Sequence, residues 1–253
     1  MLSKQQLIEY SEDARKNYVN HISIDCVVFG FHEGQMKVLL LKTHNEEKWY
    51  LPGGFVLNEE PIDTAADRIL QQRTGLEKVF LQQFRVFGDP DRSKVHNDMY
   101  AGMIPKEQNW FSGRFISIGY YALVDFFGAI PHPDQFSELC AWRDLDDIPE
   151  LELDHKKIYQ SALDTLRLQL NYQPLGYNLM PKEFTMPELQ KLYETILGKK
   201  LDRRNFQRRI LGFGILNRSE EPRKGGAHKA PYLYSFDLEN YQYALTEGFK
   251  GGW

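Results

Sequence analysis

The segment "GGFVLNEEPIDTAADRILQQRTGL", residues 53–76, predicts an amphipathic helix with an unusual polar face. Apolar side chains recur at helical spacing and define one buried face: Ile62, Ala65, Ala66, Ile69 and Leu70. Pro61 suits a first helical turn, and Gly75 suits the position just past a helix end. A metal-binding catalytic helix would carry clustered carboxylates on its polar face, but this segment carries Gln71, Gln72 and Arg73.

Strand-like segments surround this helix. The runs 22–31 and 37–42 flank a "HEGQ" turn, which predicts a β-hairpin. The run 48–56 leads into the helix. Further runs rich in β-branched and aromatic residues predict strands at 78–87 and 114–127, and an amphipathic helix follows at 154–170. This order of elements indicates an α/β or α+β fold with a mixed sheet.

The composition of the chain is that of an ordinary globular protein. Its 253 residues, 42% hydrophobic and 26% charged, suffice for one large domain or two modest ones. The charged N-terminal segment predicts no signal peptide, and no apolar run reaches the roughly eighteen residues of a membrane helix. Cys26 and Cys140 lie far apart among apolar neighbours, so we expect buried free thiols in a reducing cytoplasm.

Positive charge is concentrated near the C-terminus. Residues 198–229 contain ten lysines and arginines against three acidic residues, a net charge of +7. Because the whole chain carries −4, the remainder carries −11. A basic segment on an acidic body indicates two modules with different partners.

The second module begins after a connector rich in Pro, Gly and Asn. Thr185 and Glu188 form a capping-box pair at the start of a helix that Gly198 ends. After a three-residue linker, Asp202 caps a second helix, whose buried side is predicted to contain Phe206, Ile210 and Phe213. The pattern predicts a helix–turn–helix unit.

The second helix contains several arginines and a glutamine, which are common in helices that bind the major groove of DNA. Arginine and glutamine read base edges in the major groove, and arginine also binds phosphates. A following strand, a basic Gly-rich tip and a returning strand "YLYSF" (232–236) have the order of a wing that reaches DNA beside the helix. The candidate DNA-binding residues are Arg203, Arg204, Asn205, Gln207 and Arg208 in the helix, and Arg223, Lys224 and Lys229 in the wing.

The spacing in the first module resembles the Nudix box. Gly54, Glu60, Arg68 and Gly75 fill the glycine, glutamate, arginine and glycine positions of that motif. The resemblance covers about residues 20–150 and implies the Nudix α/β/α sandwich, and hence an α+β chain with a mixed sheet. The family's three later glutamates correspond to Ile69, Gln72 and Arg73.

These departures predict that hydrolase chemistry is lost. In the family the glutamates hold divalent metal ions against a diphosphate, and magnesium requires hard oxygen ligands. Ile69 offers no ligand, Gln72 offers a neutral one, and Arg73 places a positive charge where cations would bind. We therefore predict no metal site, no cofactor and no catalytic residue in this module.

The two modules together resemble the NrtR-type, Nudix-related transcriptional regulators. The stretch "FTMPELQKLYETILGKKLDRRNFQRR", residues 184–209, matches the specific helical motif of that family. The resemblance implies a homodimer that binds a palindromic operator on double-stranded DNA and responds to a small-molecule effector. In the family the effector is an ADP-ribose-type nucleotide or a pentose sugar, and the regulated genes serve NAD metabolism or sugar use. The predicted divisions are an effector domain at 1–153, a linker helix and connector at 154–183, and a small winged helix-turn-helix domain at 184–253.

Polar residues near the predicted pocket are candidates for contact with the effector: Glu60, Arg92, Arg114, Tyr120, Tyr121 and His155. The stretch 93–113 forms an insertion of about twenty residues, where the family has a short link. Insertions of this length are often functional. It is expected either to reshape the pocket or to place Tyr100, Trp110 and Phe111 at a dimer interface.

Two other interpretations remain open for the first module. A hydrolase with unconventional metal ligands, such as Asp63 and Asp67, would turn over nucleotides with magnesium or manganese. A module that is only a structural relic, or only dimerises, would bind no metabolite. The favoured hypothesis is a regulator that senses a metabolite without cleaving it.

Overall fold

A computed structural model describes residues 3–44, 48–77, 79–93, 102–222 and 231–248. The chain divides into two compact units. The first contains Met1–Phe29, Val38–Ala122 and Phe127–Ala162, and the second contains Gly30–Lys37, Leu123–Phe126 and Leu163–Trp253. The domain bounds given above from the sequence stay predictions.

Both units contain helices and strands. The α-helices described are α1 (Lys4–Asn17), α2 (Ile62–Thr74), α3 (His155–Gln169), α4 (Met186–Leu197), α5 (Arg203–Gly212) and α6 (Leu238–Glu247). The strands described are β1 (Tyr18–His32), β2 (Gln35–Thr43), β3 (Trp49–Tyr50), β4 (Gly53–Leu57), β5 (Phe80–Phe87), β6 (Ile116–Leu123), β7 (Ser137–Asp144), β8 (Phe184–Thr185), β9 (Leu216–Pro222) and β10 (Tyr232–Phe236). None of the helices in these ranges is long and apolar enough to cross a membrane.

One sheet organises the larger fold and positions helix α2. Among the described residues it has seven strands in the order β3-β2-β1-β6-β5, with β4 paired to β1 and β7 paired to β2. The antiparallel β1–β4 register sets Ile24 opposite Gly54 and Asp25 opposite Gly53. A Cβ on Gly54 would lie 2.8 Å from the Cγ1 atom of Ile69, so this glycine allows α2 to pack closely on β4.

Helix α2 largely follows its sequence pattern. Ala65, Ala66, Ile69 and Leu70 are buried, and Gly75 ends the helix in the left-handed region at φ 70°. Ile62 was predicted to be buried but is 41% exposed, because it occupies the first turn at the edge of the buried stripe. The expected hairpin also forms, with Glu33 and Gly34 at positive φ in a two-residue turn between β1 and β2.

The sequence patterns gave no sign of helix α1. Ser3 and Gln6 form its capping box, and its buried side consists only of Leu7, Ser11 and Ala14. This narrow stripe packs in a hydrophobic cluster with Trp110 and Phe111 of the insertion. Strand β7 and helix α6 were not predicted from the sequence either.

The position of the insertion corrects one expectation. Trp110 is 2% exposed and Phe111 is 4% exposed, and both are buried within their own unit. They are therefore not available to form the predicted dimer interface, because α1 already covers them. Tyr100, the third residue of that prediction, lies outside the described residues.

The second unit contains a winged-helix arrangement. The capping box of Thr185 and Glu188 starts α4, and Gly198 ends it at φ 66°. Strands β8, β10 and β9 form a small sheet, and α4 contacts both this sheet and α5. Phe206 and Ile210 of α5 are buried as expected, whereas Phe213 is half-buried, because the helix ends at Gly212.

Candidate ligand-binding pocket and nucleic-acid interface

The first unit contains a cavity of about 440 Å³ beside helix α2. Ligand pockets for small molecules and cofactors have volumes of this order. The lining combines cationic, anionic and aromatic side chains, among them Arg68, Arg73, Arg92, His155, Asp25, Asp134, Tyr10, Tyr18, Phe55, Phe111 and Phe136. Such a mixture can bind a ligand that has both a flat ring and a charged group.

Helix α2 presents no metal-binding face to this cavity. Its lining residues are Arg68, Ile69, Gln72 and Arg73, and Ile69 is only 1% exposed. No group of three or more His, Cys, Asp or Glu side chains in the described part of the chain is placed to hold a metal ion. These residues do not fit the divalent cation of a Nudix hydrolase, which needs several carboxylate ligands.

Glu60, the acidic residue of the Nudix-like motif, is held in an ion pair. Arg68 donates to its carboxylate from Nε at 2.7 Å and from Nη2 at 2.8 Å, and Leu57 N–H donates to it at 3.2 Å. The hydrogen bond from Arg68 is the main reason that the pKa of Glu60 lies below its usual range. The pair braces β4 against α2, since Arg68 also donates to the Phe55 carbonyl at 2.8 Å.

This ion pair predicts a pH-dependent stability. We expect Glu60→Gln to lower the free energy of unfolding at pH 7 by about 1 kcal/mol, because Arg68 is partly exposed and solvent screens the pair. A depressed pKa contributes stability above the unfolded value of about 4.3, and this contribution is lost as pH falls through the folded pKa. Thermal unfolding of both proteins between pH 3 and 7 measures it. A difference that stays constant down to pH 3 would contradict the assignment.

A buried polar network forms another part of the cavity lining. Arg92, whose side chain is 5% exposed, donates to Asp154 from Nε at 3.0 Å and from Nη2 at 3.1 Å. The same Nη2 atom lies 3.2 Å from Asp25 Oδ2, which also accepts from the Ser117 hydroxyl at 2.5 Å. One guanidinium thus forms ion pairs with two carboxylates from distant parts of the sequence.

His155 completes this network as a neutral side chain. Its Nδ1 accepts from the backbone N–H of Leu51 at 2.9 Å, so its proton lies on Nε2, 3.5 Å from Asp25 Oδ1. Burial is the main reason that the pKa of His155 falls below its ordinary value. At neutral pH the ring therefore offers a fixed N–H rather than a positive charge.

Aromatic rings form a third part of the lining. Tyr10 of α1 stacks on Phe111 of the insertion, with centroids 5.4 Å apart and planes 6° apart. Phe136 meets both rings edge-on, at 5.3 Å and 5.9 Å. Phe111 of the insertion lines the cavity. The insertion therefore shapes the pocket, which was the first of the two roles predicted for it. Flat rings of this kind can stack on a base.

Of the six residues predicted to contact the effector, two line the cavity and four do not. Arg92 and His155 line the cavity. The other four lie among other partners: Glu60 pairs with Arg68, Arg114 donates to the Gly88 carbonyl at 2.8 Å, Tyr120 donates to Asp63, and Tyr121 donates to Gln82 at 3.2 Å. None of these four residues lines the cavity, and their contact with an effector stays a prediction.

Several lining residues were missed in the sequence. Asp25 was visible as a single acid inside the apolar run 22–31, and a charge in a buried strand requires a partner. Arg73 was considered only as an obstacle to metal binding. No local pattern indicated Tyr10 or Asp134, because each reaches the pocket from a distant part of the chain.

Helix α5 has the form expected of a DNA-reading helix. Asp202 accepts from the Asn205 N–H at 2.9 Å and caps the helix. Arg203, Arg204, Asn205 and Arg208 are exposed and Gln207 is half-buried, whereas Phe206 and Ile210 of the same helix are buried. The predicted wing residues Arg223, Lys224 and Lys229 lie outside the described residues.

Comparison with known proteins supports both parts of this arrangement. Residues 19–162 match the model of the NUDIX domain, and residues 176–236 match that of the NrtR DNA-binding winged helix domain. The chain is 31% identical over 229 residues to the ADPR responsive transcriptional repressor NtrR of Acinetobacter baylyi, covering 88% of this chain and 84% of that protein. An ADP-ribose pyrophosphatase of Methanocaldococcus jannaschii is 28% identical over 58% of this chain and 78% of its own length.

Solved structures show the same fold. The crystal structure of Shewanella oneidensis NrtR complexed with a 27mer DNA matches with a TM-score of 0.72 at 23% identity, covering 92% of this chain and 99% of that one. The α+β fold with a Nudix sandwich and a following winged helix is thus confirmed. The chain belongs to the NrtR-type family of Nudix-related transcriptional regulators.

Proposed function

We propose that this protein represses or activates transcription in response to a nucleotide that carries a diphosphate, such as ADP-ribose. Two copies of the chain bind a palindromic operator through α5 and the wing, with Arg203, Arg204, Asn205, Gln207, Arg208, Arg223, Lys224 and Lys229 as the DNA contacts. The cavity of the Nudix domain binds the effector and does not cleave it. The regulated genes belong to NAD metabolism.

One observation carries this proposal. The cavity keeps a volume of about 440 Å³ with a polar and aromatic lining, while helix α2 turns Ile69 and Arg73 toward it instead of carboxylates. Charged and aromatic side chains that suit a nucleotide line this cavity, and the residues at the three metal-binding positions of the Nudix motif are Ile69, Gln72 and Arg73, which offer no carboxylate. This is the composition expected of a sensor, because a sensor that hydrolysed its effector would destroy the signal.

The lining favours a nucleotide over a free pentose. Stacked rings such as Tyr10 and Phe111 suit a base, and the arginines suit phosphate oxygens. A pentose has neither group and is recognised mainly through its hydroxyls. The response of the Acinetobacter baylyi relative to ADPR agrees with this choice, and control of sugar genes by a pentose remains the alternative.

Binding and turnover are tested together on the purified chain. We expect ADP-ribose at about 100 times its dissociation constant to stabilise the protein by about 2.7 kcal/mol, a rise in melting temperature of several degrees. We expect no release of AMP with magnesium or manganese. Xylose, arabinose and ribose serve as the sugar controls.

The outcomes separate three classes of protein. Steady hydrolysis of ADP-ribose would identify a nucleoside diphosphate hydrolase, as in the Methanocaldococcus jannaschii relative, and would overturn the sensor. Stabilisation by a pentose alone would change the effector class. Stabilisation by no compound of either class would indicate a domain that has lost ligand binding.

A further inference from the structure

Helix α2 places a guanidinium where the resemblance to the Nudix box places a metal-binding glutamate. Arg73 lies in the last turn of α2 and lines the cavity, and its side chain is 13% exposed. Arg68, Ile69 and Gln72 line the cavity from the same face of the helix. At this end of the cavity the positive charge is therefore supplied by an arginine side chain of the protein.

A short loop holds this guanidinium in place. Asp134 Oδ2 lies 3.3 Å from Nη2 of Arg73, and Asp134 Oδ1 accepts from the Phe136 N–H at 2.9 Å and the Ser137 hydroxyl at 2.7 Å. His132 N–H donates to the Arg73 carbonyl at 2.9 Å, which ties the same loop to the end of α2. Asp134 is thus positioned by its own neighbours and orients Arg73.

The guanidinium also has unused hydrogen-bonding capacity. The buried Nε of Arg73 has no hydrogen-bond partner among the residues that the structure describes. A buried donor without a partner is unfavourable, and a small rotation that brings it to an anionic oxygen would remove the penalty. Arginine forms paired hydrogen bonds to phosphate, since its N–H groups match the spacing of two phosphate oxygens.

We propose that Arg73 takes the place of the metal ion and binds the diphosphate of the effector directly, so that effector binding requires no divalent cation. This inference rests on the proposed nucleotide effector. The guanidinium supplies positive charge to the phosphates, yet it cannot activate water as a bound metal does. Asp134 acts as a positioning residue. Arg73 thereby supplies the phosphate-binding charge, while Ile69, Gln72 and Arg73 together offer no carboxylate that could hold a hydrolytic cation.

Calorimetric titration of the full-length protein with ADP-ribose tests this assignment, in buffers containing either EDTA or magnesium. We expect equal affinity in the two buffers. We expect Arg73→Gln to weaken binding at least tenfold, and Arg73→Lys, which keeps the charge but loses the paired geometry, to weaken it less. Arg85→Gln is the matched control, because Arg85 is exposed and lies outside the cavity in the same unit.

Each outcome decides the question. Binding that requires magnesium, or Arg73 variants whose affinity stays within twofold of the parent, would overturn the role of Arg73 while leaving the nucleotide sensor intact. Absence of binding by the parent protein in both buffers would overturn the proposed function itself. If Arg73→Gln lowers the melting temperature of the ligand-free protein, its weaker binding does not distinguish a lost contact from a disturbed fold. The affinity of Arg73→Lys is then compared with that of the parent.

Discussion

Replacing Arg203 and Arg208 together with alanine is expected to lower the affinity for operator DNA by about 30-fold or more. Both side chains are exposed on α5, whereas Phe206 and Ile210 of the same helix are buried. An arginine that reads a base or binds a phosphate contributes about 1–3 kcal/mol, so two of them contribute at least about 2 kcal/mol. The fold should be unaffected, because neither side chain is buried.

Fluorescence anisotropy measures this loss on a duplex selected from a random pool by the parent protein. The matched control is Lys156→Ala with Lys157→Ala, which removes the same charge from exposed positions of α3. We expect its affinity to stay within twofold of the parent at equal ionic strength. Equal losses in the two double variants would show that net charge, rather than α5, determines binding.

The second large effect is expected from Arg92→Ala, which should lower the free energy of unfolding by about 3–5 kcal/mol. The substitution leaves Asp25 and Asp154 without their shared cation, and Asp25 is 6% exposed. Removing one partner of a buried ion pair costs this much, because the remaining charge stays desolvated. In a chain of this size the melting temperature should fall by about 10 °C.

Chemical denaturation with urea measures this cost. Arg85→Ala serves as the exposed control and should change stability by less than about 0.5 kcal/mol. Adding Asp25→Asn to Arg92→Ala should recover part of the loss, because the two side chains are in direct contact at 3.2 Å. A loss below about 1 kcal/mol for Arg92→Ala would show that water solvates the two carboxylates.

Local patterns were sufficient for helix α2 and helix α5, the two elements to which the proposed functions are assigned. Helix α2 and helix α5 each show apolar residues at helical spacing together with a terminating or capping residue, Gly75 and Asp202 respectively. Such signals lie within one or two turns of the chain, so sequence alone can place them. For the same reason the exposed face of α5 was identified correctly.

The lining of the pocket could not be predicted from local patterns, because it is formed by contacts between residues far apart in the sequence. Arg92 reaches Asp25 across 67 residues and Asp154 across 62 residues. Tyr10 and Phe111 meet only because α1 folds over the insertion. The tyrosines at 120 and 121 were predicted to face an effector because of their polar ends. Their hydroxyls donate to Asp63 and Gln82, and their contact with an effector stays a prediction.

The most direct test of the account is the affinity for the selected operator duplex during titration with ADP-ribose. Coupling energies between sites are typically about 1–3 kcal/mol, so saturating ADP-ribose should change the affinity for DNA at least about fivefold. Saturating DNA must then change the affinity for ADP-ribose by the same factor. An unchanged affinity for DNA, in a sample whose melting temperature shows that ADP-ribose is bound, would contradict the claim that this pocket controls DNA binding.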